Sequence, residues 1–71
     1  MEILEFKLEG EYIELIQLLK AINIAQTGGH AKIIVENGLV YRDGLKELRK
    51  RAKIRIGDTI EVDQTIKIII I

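Results

Sequence analysis

The sequence predicts an α+β fold in which two adjacent helices pack on a small, mostly antiparallel sheet. Three observations carry this prediction. Apolar and polar residues alternate at both ends, over residues 2–9 and in the terminal TIKIIII. Between them the apolar period becomes helical, twice in succession. The pairs Asp43-Gly44, Gly57-Asp58 and Asp63-Gln64 then punctuate the second half with tight-turn signals. Seventy-one residues make one small domain, spanning residues 1–71. A chain of this length buries only about 60% of its unfolded surface. Cysteine is absent and the aromatic residues are Phe6, Tyr12 and Tyr41 alone, so the core must be aliphatic.

Each element has its own signal. Residues 2–9 place Leu4, Phe6 and Leu8 on one strand face and Glu5 and Lys7 on the other. Gly10 breaks that strand, and a helix is expected from Glu11. Tyr12, Leu15, Leu19 and Ile22 form its stripe, widened by Ile16 and Leu18. Glu11 and Glu14 in its first turn and Lys20 near its end would suit the helix dipole, and Asn23 would stop it. A second helix starts at Thr27, whose hydroxyl can accept from a backbone N–H two or three residues on. Ala31, Ile34 and Val35 face inward, Lys32 and Glu36 outward, and Asn37-Gly38 ends the helix. At about two and a half turns it cannot stand alone and must dock. Short strands follow at residues 39–42, 53–56 and 59–62, then the alternating Ile66, Ile68 and Ile70.

Composition narrows the function. Acids inside the alternating N-terminal pattern do not read as a signal peptide. No apolar run approaches the roughly 20 residues of a membrane helix, so a soluble, cytoplasmic protein is expected, with no membrane partner. The net charge is zero but polarised. Residues 1–40 hold three lysines against six acids, and residues 41–71 hold eight bases against five. Seven of those bases lie between Arg42 and Arg55, facing only Asp43 and Glu47.

Four constellations bear on chemistry. TGGHAK lacks both the spacing and the terminal hydroxyl of a phosphate-binding loop. Two readings of its glycines stay open: a plain helix start, or backbone N–H groups left free for an anion. His30 is a single imidazole without cysteine, too few ligands for zinc, so no metal or other cofactor is expected. It can meet a phosphate or simply be solvated. The chain has no serine or cysteine nucleophile, and its clustered acids fit turns and helix starts, so an enzyme is not expected. In the basic segment Arg49, Arg51, Lys53 and Arg55 could share one strand face and neutralise successive phosphates. The competing reading is an edge guarded by charge.

The ordered series resembles a known family. Leu18-Leu19-Lys20, Thr27, Ala31, Ile34-Val35, Gly38, Val40, Asp43-Gly44 and the run from Ile56 to Ile60 resemble the RNA-binding domain named after ribosomal protein S-four, the alpha-L motif. The likeness covers about residues 11–62. The S/T-G-G-x-A-K form, with Glu47, Arg49 and Arg51 after the turn, is similar to small stand-alone bacterial members with an extra strand at each end. Gly28 stands where the family commonly has arginine, Arg42 where it has a second valine, and Asp43 where it has asparagine. The resemblance implies binding to structured RNA, ribosomal or ribosome-associated, through the second helix and the following hairpin. By position it nominates Thr27, Gly28, Gly29, His30 and Lys32, then Arg42, Arg49, Lys50, Arg51 and Lys53, with Lys20 on the first helix. The alternative is a protein–protein adaptor that keeps the fold, pairing a partner strand or a second copy along an exposed edge at TIKIIII. A monomer or weak oligomer is expected in either case.

Overall fold

The computed structural model describes residues Met1–Ile71. Seven strands and two helices follow one another as β1 (Glu2–Phe6), β2 (Ile13–Glu14), α1 (Leu15–Ala21), α2 (Gly28–Glu36), β3 (Val40–Arg42), β4 (Leu45–Lys46), β5 (Lys53–Ile54), β6 (Thr59–Val62) and β7 (Ile66–Ile70). Five strands form one sheet in the order β1-β7-β6-β3-β4, and β2 and β5 make a separate antiparallel pair. The fold is α+β, with the two helices packed together over a mostly antiparallel sheet.

The local signals set the ends of α2. Thr27 is in extended backbone and its Oγ1 accepts from the His30 N–H at 3.0 Å. At the exit Gly38 takes φ +74°, the left-handed region glycine tolerates best. Asp43 and Gly44, at φ +51° and +86°, make the two-residue turn joining β3 to β4. Two positive φ values match the twist of a hairpin.

Two expectations need correction. The first helix begins at Leu15, not Glu11. Ile13 and Glu14 instead pair antiparallel with Ile54 and Lys53, so Glu14 sits at the N-cap position, without a side-chain capping bond, and Tyr12 lies outside the helix. A partner strand some forty residues away overrode the helical stripe. The second concerns TIKIIII. It is not a free edge, because β1 pairs with β7 in parallel, Leu4 opposite Ile68 and Phe6 opposite Ile70. The edges of the five-stranded sheet are β1 and β4.

The core lies between the helices and one face of the sheet. Leu15, Leu18 and Leu19 from α1 and Ala31 and Val35 from α2 meet Ile60, Val62, Ile68 and Ile70. Ile54 of the small sheet is fully buried with them, which ties the β2–β5 pair to the same core. Burying one such side chain contributes about 1.5–3 kcal/mol, so the whole cluster is needed in a chain this short.

Candidate nucleic-acid interface

The basic segment leaves β4 and crosses back to β5, and its backbone is held at several points. Glu47 N–H donates to the Val40 carbonyl at 2.9 Å. The first amides of α1 do the same for the middle of the loop. Leu15 N–H donates to the Ala52 carbonyl at 2.9 Å and Ile16 N–H to that of Lys50 at 3.1 Å. These are helix N-terminal donors that have no partner within the helix. Ala52 is buried beneath them. The side chains of Lys50, Arg51 and Lys53 therefore project from a fixed backbone.

Acids take up two of the arginines. Glu47 is the only buried charged residue, 7% exposed. Its Oε2 accepts from Arg49 N–H at 3.1 Å and Nε at 3.0 Å, and its Oε1 from Arg49 Nη2 at 3.1 Å. The Arg49 side chain holds the Glu47 carboxyl below its ordinary value of 4.5, against the opposing effect of burial, and Glu47 in turn raises Arg49. Arg49 is itself 74% exposed, so its outer surface stays accessible. Arg42 is more deeply committed. Its Nη2 donates to Asp58 Oδ2 and to the Lys53 carbonyl, both at 2.8 Å, and its Nη1 lies 3.8 Å from Glu47 Oε1. Asp58 Oδ2 also accepts from Arg55 N–H at 2.8 Å. One carboxylate thus joins the end of β3 to the backbone beyond β5.

The expected single strand face of Arg49, Arg51, Lys53 and Arg55 does not form. Only Lys53 and Ile54 are strand, and residues 47–52 are loop. A shallow depression gathers part of the set instead, lined by Arg42, Arg49, Arg51, Ala52 and Lys53. The ion pairs of the chain are those of Arg42 and Arg49 alone. Lys50, Arg51 and Lys53 have no acid within 4.0 Å.

Of the other nominated residues, all but Lys20 cluster at the start of α2. His30 Nδ1 accepts from Gln26 N–H at 3.3 Å, while its own N–H goes to Thr27. The arrangement is a capping box shifted by one residue: the imidazole replaces the usual carboxylate or amide and reaches the N–H before Thr27 instead of that of Thr27 itself. His30 is therefore part of the cap as well as exposed. The N–H groups of Gly28 and Gly29 have no acceptor within the chain. A Cβ on Gly28 would meet nothing within 4 Å, and one on Gly29 only Thr27 Oγ1 at 3.9 Å. Internal packing does not require either glycine. Lys32 is exposed beside them and Lys20 is half-buried in the last turn of α1. None of the residues lining the depression comes from α2.

Sequence reasoning missed the anchoring role of Asp58, whose signal was its place after Gly57 in a turn. It also missed the burial of Glu47, for which no local signal exists. No three His, Asp or Glu side chains converge as metal ligands would, and no helix is long and apolar enough to cross a membrane.

Comparison with known proteins gives a consistent picture. The sequence profile described as S4 domain matches residues 6–70. An Escherichia coli K12 protein named "Putative RNA-binding protein YbcJ" is 43% identical over 49 residues, covering 69% of this chain and 70% of that protein. A Shigella flexneri protein named "Uncharacterized protein YbcJ" matches with the same identity and coverage.

Proposed function

The chain belongs to the S4 domain family, and from that premise we propose that it binds structured RNA, ribosomal or ribosome-associated, chiefly through phosphates. The observation that carries this reading is the set Lys50, Arg51 and Lys53, unpaired with acid and projecting from a loop pinned to α1. Arg49, partly neutralised by Glu47, lies at the same depression. The open amides of Gly28 and Gly29, with Lys32 nearby, supply a second phosphate contact at the start of α2. Thr27 and His30 hold that helix end in shape.

Zero net charge does not oppose this reading. At physiological ionic strength exposed charges are screened beyond about 8 Å. The molecule measures 26 × 23 × 20 Å, so acids on its far side are felt weakly at the basic loop. Local charge decides: the nearby Glu47 and Asp58 are engaged by Arg49 and Arg42, which leaves Lys50, Arg51 and Lys53 without an ion-pair partner.

The test is the salt dependence of binding to a helical ribosomal RNA fragment, for the native chain and for Lys50→Ala/Arg51→Ala/Lys53→Ala. Each lost phosphate contact flattens the slope of log K against log salt by about 0.7–0.9. Arg49→Ala flattens it less, because Glu47 already offsets that charge. An unchanged slope in the triple variant, or no binding by the native chain at low salt, removes the proposal. The second of those results would favour a protein partner.

A further inference from the structure

The small β2–β5 sheet has one face turned to the core and one turned out. Ile13 and Ile54 oppose each other inward. Glu14 opposes Lys53, and continuing the register one step sets Tyr12 opposite Arg55. By alternation Tyr12, Glu14, Lys53 and Arg55 share the outer face. Tyr12 is 41% exposed. Lys53 Nζ lies 4.9 Å and Arg55 Cζ 5.6 Å from its ring centroid. Arg55 Nη1 also reaches the Glu11 carbonyl at 3.4 Å, which fixes the guanidinium near the ring. Lys53 makes no ion pair with Glu14, although the register sets them opposite.

Resting on the RNA-binding reading above, we propose that this outer face binds one unpaired nucleotide, its base stacked on Tyr12 and its phosphate held by Lys53 and Arg55. The chemistry of the face selects the ligand. Two cations held on an aromatic ring keep their charge for an anion, and Tyr12, 41% exposed, leaves part of its ring open to a planar group. A nucleotide carries both parts together. An acidic side chain would satisfy the cations alone and leave the ring uncovered. A paired base is already stacked inside its helix, so the base must come from a bulge, loop or end. Lys53 also borders the depression with Arg51 and Arg49, so the same RNA strand can pass from one to the other. Glu14 shares this face by register.

The experiment compares a helical RNA stem with the same stem carrying one bulged adenosine. The native chain is expected to bind the bulged stem more tightly, by roughly fivefold to 150-fold, the range for stacking one base on an aromatic side chain. Tyr12→Leu should abolish that preference while leaving the stem affinity and its salt slope in place. Tyr12→Phe should retain it. In a Tyr41→Phe background Tyr12 is the only tyrosine, and its fluorescence should be quenched by the bulged stem and little by the unbroken one. Thermal melting confirms that the Tyr12 variants fold. Equal binding of both stems by the native chain, or equal weakening of both by Tyr12→Leu, overturns this inference and leaves the RNA reading intact. Binding to neither stem at low salt overturns both.

Discussion

Removing the Asp58 carboxylate should destabilise the fold well beyond what an ordinary surface change does. Asp58→Ala deletes two short hydrogen bonds, from Arg42 Nη2 and from the Arg55 N–H, both 2.8 Å long. The Arg42 and Asp58 side chains are 23% and 17% exposed, between a surface pair and a buried one. Exposed pairs contribute up to about 1 kcal/mol. Breaking a buried pair costs about 3–5 kcal/mol. Arg42 keeps the Lys53 carbonyl and can turn toward Glu47, 3.8 Å away, which lowers the cost. We expect a loss of about 2 kcal/mol, midway between those limits. A 71-residue chain has about 4–10 kcal/mol in all. The melting temperature should fall by about 8–16 °C. Urea and thermal unfolding, followed by circular dichroism, give the number directly. A double-mutant cycle with Arg42→Met isolates the pair. Asp58→Asn, which keeps one acceptor, should recover part of the loss. If Asp58→Ala costs less than about 0.5 kcal/mol, or the cycle yields no coupling above that level, the anchoring role is wrong.

Two further outcomes follow from the same contacts. Glu47 is held below its ordinary value of 4.5, chiefly by the hydrogen bond from Arg49. A lowered acid stabilises the fold above its unfolded value and ceases to do so as pH falls through its folded value. The stability gap between the native chain and Glu47→Gln should thus be widest above about pH 4.5 and close in more acid solution, as denaturant titrations at several pH values would record. A gap that does not change with pH would mean that Glu47 matters by shape and not by charge. Gly28→Arg places a cation at a position with nothing within 4 Å of the new Cβ. Losing a glycine gains about 0.4–1 kcal/mol. A cation at a helix start costs about 0.3–1 kcal/mol. Melting should therefore barely move, while RNA affinity rises and its salt slope steepens by about 0.7–0.9. Unchanged RNA binding in that variant would take the start of α2 out of the interface.

How much of this was legible in the sequence depends on the range of the interaction involved. Thr27, Asn37 and Gly38 bounded α2 because a cap and a left-handed exit are decided within a few residues. Asp43-Gly44 announced its hairpin for the same reason. The start of α1 was misread because Tyr12, Leu15 and Leu19 keep helical spacing whether or not residues 11–14 are helical. What pulls Ile13 and Glu14 into a strand is Ile54 and Lys53, and no local pattern records that pairing. TIKIIII showed its alternation but not its neighbour. Its parallel partner is β1, at the other end of the chain.

For the candidate site the division is similar. The α+β class, the short capped helix with its Gly28-Gly29 pair, and the concentration of bases between Arg42 and Arg55 could be read off residue order. Those follow from residue type and spacing, which act locally. Which charges stay available depends on the fold. It spends Arg42 on Asp58 and partly offsets Arg49 with Glu47. It leaves Lys50, Arg51 and Lys53 unpaired, and it moves Tyr12 from an expected core stripe to an exposed face under two cations. The physical reason is that a charge or a ring gains its role from what surrounds it, and those surroundings come from residues distant in the chain.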